Sequence, residues 1–148
     1  MHRGFAEKNR LKGIHWNLNS CPDLFPVLAT LCAFAKGPSR LDGAPHLIFK
    51  ESNRIQKSAE LIHLLGVKTK LLSDGMEIIP GSIEHFPGES RGLKMESVPF
   101  DTDHDHRLAF AASLVKSQNY PIEILHPEVV NKSFPEFWEI LVNNTRIL

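Results

Sequence analysis

The most constraining feature of this chain is a helical stripe with a hard stop behind it. From Leu24 the apolar residues Val27, Leu28, Leu31 and Ala35 recur at helical spacing, and Lys36-Gly37-Pro38 follows at once. Glycine accepts the left-handed backbone that ends a helix and proline cannot continue one, so the helix stops there. A second stripe, Ile55, Ala59, Ile62 and Leu65, predicts a helix over 52–65 with Gly66 just past its end. Short β-branched or apolar runs at His46 to Phe49, Val67 to Leu72 and Met76 to Ile79 fit strands, and Asp74-Gly75 predicts a hairpin turn between the last two. The stretch 80–92 holds three glycines and two prolines and reads as a loop. The plan then repeats, with a strand over 93–98, a helix over 107–116 burying Leu108, Ala111, Ala112 and Val115, and a strand over Ile122 to Leu125. Ser133-Phe134-Pro135-Glu136 forms a capping box that opens a last helix through Phe137, Ile140 and Leu141. Such alternation predicts an α/β (α+β) fold with helices packed on sheet. We expect one partial domain over 1–148, built of two similar units at about 12–80 and 93–148, with residues 1–11 as a basic arm or an edge strand.

A chain of 148 residues with 42% hydrophobic content can bury one core. Its 17 Lys plus Arg balance its 17 Asp plus Glu, so no global field draws it to nucleic acid or a lipid surface. Any anion site must therefore be local. No window approaches the apolar run of a membrane helix, and no apolar stretch follows the first basic residues, so a cytoplasmic location is expected. Cys21 and Cys32 form no Cys-x-x-Cys pair and read as buried apolar fillers. Neither Gly-x-x-x-x-Gly-Lys nor Gly-x-Gly-x-x-Gly occurs, so nucleotide cofactors have no support.

Charged residues crowd the expected helix starts: Asp23 at the first, Lys50, Glu51 and Arg54 at the second, His106 and Arg107 at the third, Lys132 at the fourth. Cations in a first turn oppose the helix dipole, at a cost of about 0.3–1 kcal/mol each. An anion resting between them reverses that sign, and converging helix starts form a pocket suited to phosphate or carboxylate. The plainer alternative is that each cation points into water. Glu51 is either a salt-bridge partner of Lys50 and Arg54 or a carboxylate poised for proton transfer. Asp23 is either a helix N-cap or an acceptor for a substrate hydroxyl. Asp101, Asp103, His104, Asp105 and His106 form the densest cluster of potential metal ligands. Without His-Glu-x-x-His or cysteine ligation it reads as a polar loop before a helix, and no metal is expected.

Four stretches, Cys21-Pro22-Asp23-Leu24-Phe25-Pro26, Lys50-Glu51-Ser52-Asn53-Arg54, Asp105-His106-Arg107 and Lys132-Ser133-Phe134-Pro135-Glu136-Phe137, together resemble the 5-enolpyruvylshikimate-3-phosphate synthase family in order and spacing. The resemblance spans about residues 11–142. It implies two lobes, each of three β-α-β-α-β-β units whose helices aim their amino termini at the cleft between the lobes. On that pattern the chain covers roughly the last two units of the carboxy-terminal lobe. The implied reaction adds the hydroxyl of shikimate 3-phosphate to phosphoenolpyruvate and expels phosphate from a tetrahedral intermediate, with no metal or organic cofactor. By position, Asp23 resembles the aspartate near the attacking hydroxyl, and Glu51 with Lys50 the pair tied to proton exchange at the methylene. Arg54 and Arg107 resemble the arginines that hold the phosphoenolpyruvate carboxylate, and Lys132 and His106 match positions beside its phosphate.

Three residues depart from the pattern: Asn53 where the family usually has Asp, His46 where an Asn often contacts the shikimate part, and His126 where Asp usually precedes Pro. The expected ligands of shikimate 3-phosphate belong to the other lobe, and half a cleft cannot exclude water. A carboxy-terminal portion inactive without a complementary amino-terminal lobe is therefore expected. The alternatives are a non-catalytic anion-binding or interaction module that keeps the lobe's fold, and a metal-dependent hydrolase using His104 and His106. Apolar faces left uncovered by the missing unit predict self-association, as a homodimer.

Overall fold

The computed structural model describes residues 11–81 and 96–145. Its first part runs β1 (His15–Asn17), α1 (Phe25–Ala33), β2 (Ser39–Asp42), α2 (Arg54–Leu64), β3 (Lys68–Leu72) and β4 (Gly75–Ile79). The second runs β5 (Val98–Asp101), α3 (His106–Ser117), β6 (Ile122–Leu125) and α4 (Phe137–Thr145). Short 3-10 turns at Pro22–Leu24, Pro45–Phe49 and Pro127–Lys132 precede α1, α2 and α4. Each opens on a proline, whose fixed φ suits a first helical position and whose missing N–H has no partner to lose there.

Strands β1 to β4 form one sheet in the order β1-β2-β4-β3, and β5 pairs with β6 in a second. The β1–β2 and β5–β6 pairs are parallel, with α1 and α3 as their crossovers, while β2–β4 and β3–β4 are antiparallel. Helices α1, α2 and α3 pack on one another. The small, fully buried Ala29, Ala111 and Ala112 let α1 and α3 lie close together. Phe25, Ile55, Ile62, Leu108 and Val115 from these helices join Leu41, Met76 and Ile78 of the sheet in one core, each large side chain contributing about 1.5–3 kcal/mol. This packing holds the starts of α2 and α3 rigidly side by side.

The helices over 24–35, 52–65 and 107–116 form within two residues of their expected limits, and Gly37 and Gly66 take φ of +98° and +74° beyond the first two. The β3–β4 hairpin forms with its turn at Asp74-Gly75. Three expectations are corrected. His46–Phe49 is a 3-10 turn and not a strand: only Leu47 is buried, while Phe49 is 82% exposed, so no alternating face exists. The strand lies earlier, at β2. The strand expected over 93–98 starts at Val98 and runs to Asp101, residues 93–95 lying outside the described residues. Pro99 hides it in sequence but is tolerated there: the Val98 N–H donates to the Pro121 carbonyl, so position 99 turns its missing N–H away from β6. Ser133 closes the preceding turn through its own N–H to the Val130 carbonyl, and α4 begins only at Phe137. Strand β1, exposed at all three residues, has no apolar alternation to announce it. The arm over 1–10 and most of the 80–92 loop lie outside the described residues. Among the described residues no helix is long and apolar enough to cross a membrane.

Candidate functional site

The site grows from Arg54, the first residue of α2, which is only 2% exposed. Stripping a guanidinium of water is costly unless its donors are met, and here four contacts meet them. Nε donates to Asp105 Oδ2 at 2.8 Å, Nη1 to Asp23 Oδ1 at 2.8 Å, and Nη2 to Glu51 Oε2 at 2.9 Å and Asp105 Oδ1 at 3.2 Å. Asp105, fully buried, thus grips Arg54 in the two-pronged manner that suits a planar guanidinium. Asp105 also accepts from Ser52 Oγ at 2.9 Å and caps α3 by accepting the Arg107 N–H at 3.0 Å. Asp23 spans both arginines, its second oxygen accepting from Arg107 Nη2 at 3.1 Å.

Each helix start is prepared locally. Asn53 caps α2 by accepting the Gln56 N–H at 3.0 Å, a task for which Asn and Asp are equally suited, so this departure leaves the element intact. Asp23 is not an N-cap: it sits within the turn Pro22–Leu24, and its carboxylate is spent on arginine side chains. The anion that the misplaced cations required is thus provided first by the chain itself, through Asp23, Glu51 and Asp105. Arg107 keeps a spare donor, since among the described residues its buried Nε has no hydrogen-bond partner.

Electrostatics follow from this geometry. Partial burial works to raise the Asp23 pKa, but the Arg54 hydrogen bond and the charges of Arg107, Arg54 and Lys50 outweigh it and hold the carboxyl below its ordinary value. Burial works to lower the Arg54 pKa, and the hydrogen bond and charge of Asp105 overcome it, so the guanidinium stays firmly protonated. His106, against the edge of Phe110 at 6.0 Å between ring centres, has its pKa lowered by burial and by Arg107.

The structure therefore brings Asp23, Glu51, Arg54 and Arg107 together, with His106 beside them on α3. Lys50 is exposed and near enough to act on Asp23. His46 and Lys132 lie exposed in separate 3-10 turns, and among the described residues neither joins the bonded cluster. Sequence reasoning missed Asp105 and Ser52 as parts of this site. The N-cap position of Asp105, directly before the apolar stripe of α3, was the available signal. His104 does not pair with His106; its ring stacks on His126, with 4.0 Å between centres.

A family model described as EPSP synthase (3-phosphoshikimate 1-carboxyvinyltransferase) matches residues 2–141. The chain is 39% identical over 134 residues to a 3-phosphoshikimate 1-carboxyvinyltransferase of Syntrophobacter fumaroxidans, covering 90% of this chain and 29% of that protein. It is 37% identical over 136 residues to one from Archaeoglobus fulgidus, covering 92% and 30%. Its fold matches an EPSP synthase structure from Acinetobacter baumannii with a TM-score of 0.75 at 32% identity, over 92% of this chain and 30% of the other. The chain thus spans about three tenths of the length of the relatives it matches.

Proposed function

From the premise that the chain belongs to the EPSP synthase family, we propose that it is the carboxy-terminal portion of a 3-phosphoshikimate 1-carboxyvinyltransferase. In this reading it is two units of one lobe, at about 12–80 and 93–148, and works in the shikimate pathway to aromatic amino acids. The carrying observation is that Asp23, Glu51, Arg54 and Arg107, from three separate stretches, meet at the starts of α2 and α3. That face supplies positive dipole ends, two guanidinium groups and two half-exposed carboxylates.

The proposed chemistry uses the chain's own ion pairs as placeholders. The phosphoenolpyruvate carboxylate meets the spare Arg107 Nε and takes over Arg54 Nη2 from Glu51. Glu51, released, exchanges a proton with the methylene carbon beside Lys50. Asp23, kept ionised by its arginines, accepts a hydrogen bond from the attacking hydroxyl of shikimate 3-phosphate. Lys132, His106 and His46 belong to the surrounding phosphate and shikimate contacts, which close only when the other lobe docks.

Because a ligand must compete with Asp23 and Glu51, binding by this chain alone is weak, roughly millimolar or about −4 kcal/mol. The test is phosphate release from phosphoenolpyruvate plus shikimate 3-phosphate. The expected outcome is no turnover alone and recovery with a complementary amino-terminal lobe, with recovery abolished by Glu51→Gln or Asp23→Ala. Robust turnover by the isolated chain overturns the half-site reading. Failure of every lobe preparation to restore turnover, with phosphoenolpyruvate unbound at high concentration, favours a non-catalytic module.

A further inference from the structure

On the turns that follow β5 and β6 lies a cluster that the proposed reaction does not use. His104, His126 and Glu128 each offer one ligand atom, and these three atoms lie within 4.8 Å of one another. We propose that they form a binding site for a divalent borderline metal ion of the zinc or nickel class. Two imidazoles and one carboxylate are the donor set such ions favour.

The geometry supports ligation in several ways. Ligands of one tetrahedral ion with bonds of about 2.0–2.1 Å sit roughly 3.4 Å apart, so modest rotations of surface side chains gather the set. His126 Nδ1 already lies 3.7 Å from Glu128 Oε1. Its other nitrogen, Nε2, lies 3.9 Å from Asp101 Oδ1, on the side where a carboxylate orients a metal-bound imidazole. The His104 ring rests on the His126 ring at 4.0 Å between centres, which holds the two imidazoles next to each other. Both histidines adopt left-handed backbone, each with φ of 57°, on turns that follow β5 and β6. The ion would therefore clip the turn that leads into α3 to the turn that leaves β6.

The site is tested on the full chain by titration with zinc chloride in calorimetry, and with cobalt chloride while following visible absorption. One equivalent of metal is expected, with the intense visible bands of a four-coordinate cobalt site or the weak ones of a six-coordinate site. His104→Asn and His126→Asn, chosen because Asn tolerates left-handed backbone, should each lower affinity by more than tenfold. Asp101→Asn should lower it by about tenfold, the usual effect of losing a carboxylate behind a histidine ligand. Circular dichroism shows whether each variant is folded, and His106→Asn should leave binding unchanged. No binding up to millimolar metal, or equal binding by the folded His104→Asn and His126→Asn variants, overturns the proposal.

Discussion

A guanidinium that is 2% exposed has lost nearly all of its water, and Arg54 recovers those bonds from Asp105, Asp23 and Glu51. The arrangement is stable only as a set, because removing Asp105 takes two of the four hydrogen bonds from buried Arg54 and leaves the Ser52 hydroxyl and the Arg107 N–H without their acceptor. Asp105→Ala is therefore expected to lower unfolding free energy by about 3–5 kcal/mol, read from urea denaturation. Arg54→Lys should also destabilise, since a single ammonium cannot meet three carboxylates with directed bonds. Asp23 adds a dependence on pH. Its folded pKa is depressed, so the folded state binds its proton more weakly than the unfolded chain does. The contribution is complete above the ordinary value of about 3.9 and is lost as pH falls through the lower folded value. Denaturation curves between pH 5 and 2 should show a shallower loss of stability in Asp23→Asn than in the parent. His106 acts in the same sense at higher pH, since burial and Arg107 favour its neutral ring and acidification below about 6.5 opposes folding.

At the scale of elements, the starts of α2 and α3 do two jobs at once. Each is capped by a short side chain, Asn53 or Asp105, and each carries an arginine in its first turn that the dipole alone disfavours. The cost is offset because Asp23, in the Pro22–Leu24 turn, accepts from both arginines and Glu51 accepts from Arg54. Asn53 does its part through one bond to the Gln56 N–H. Asn53→Ala should thus cost about 1 kcal/mol and Asn53→Asp almost nothing, measured by thermal or urea unfolding. A large loss in Asn53→Asp would show that the amide bears on more than the cap.

For the molecule as a whole, the sheets of the described residues end on open edges. Among the described residues β5 and β6 pair only with each other, and the larger sheet ends on β1 and β3. Trp16 on β1 and Leu71 on β3 are 53% and 46% exposed. Unpaired edges bearing apolar side chains favour contact with another chain. We expect the isolated protein to self-associate, its mass in light scattering rising with concentration; a monodisperse monomer throughout a wide range would refute this.

At this scale too, local and long-range determinants separate. The three core helices, the glycine stops of the first two and the β3–β4 hairpin were legible because periodicity and turn chemistry are properties of neighbouring residues. The charges at helix starts were legible for the same reason. The Glu51 partner of Arg54, three residues away, was legible with them, but the distant partners were not, since Arg54 and Asp105 are 51 residues apart and Asp23 and Arg107 are 84 apart. Gly75 shows the same division. Local reading assigns it to a turn, yet a Cβ there would collide with the Leu41 carbonyl of β2, so β2 and not the turn alone demands glycine. Sequence by itself determined the three core helices, the β3–β4 hairpin and which residues carry charge at the helix starts. Only the tertiary structure decided that Arg54 is buried, that Asp105 holds it and that His104 faces His126, because each depends on which helix starts and turns the packed core brings side by side.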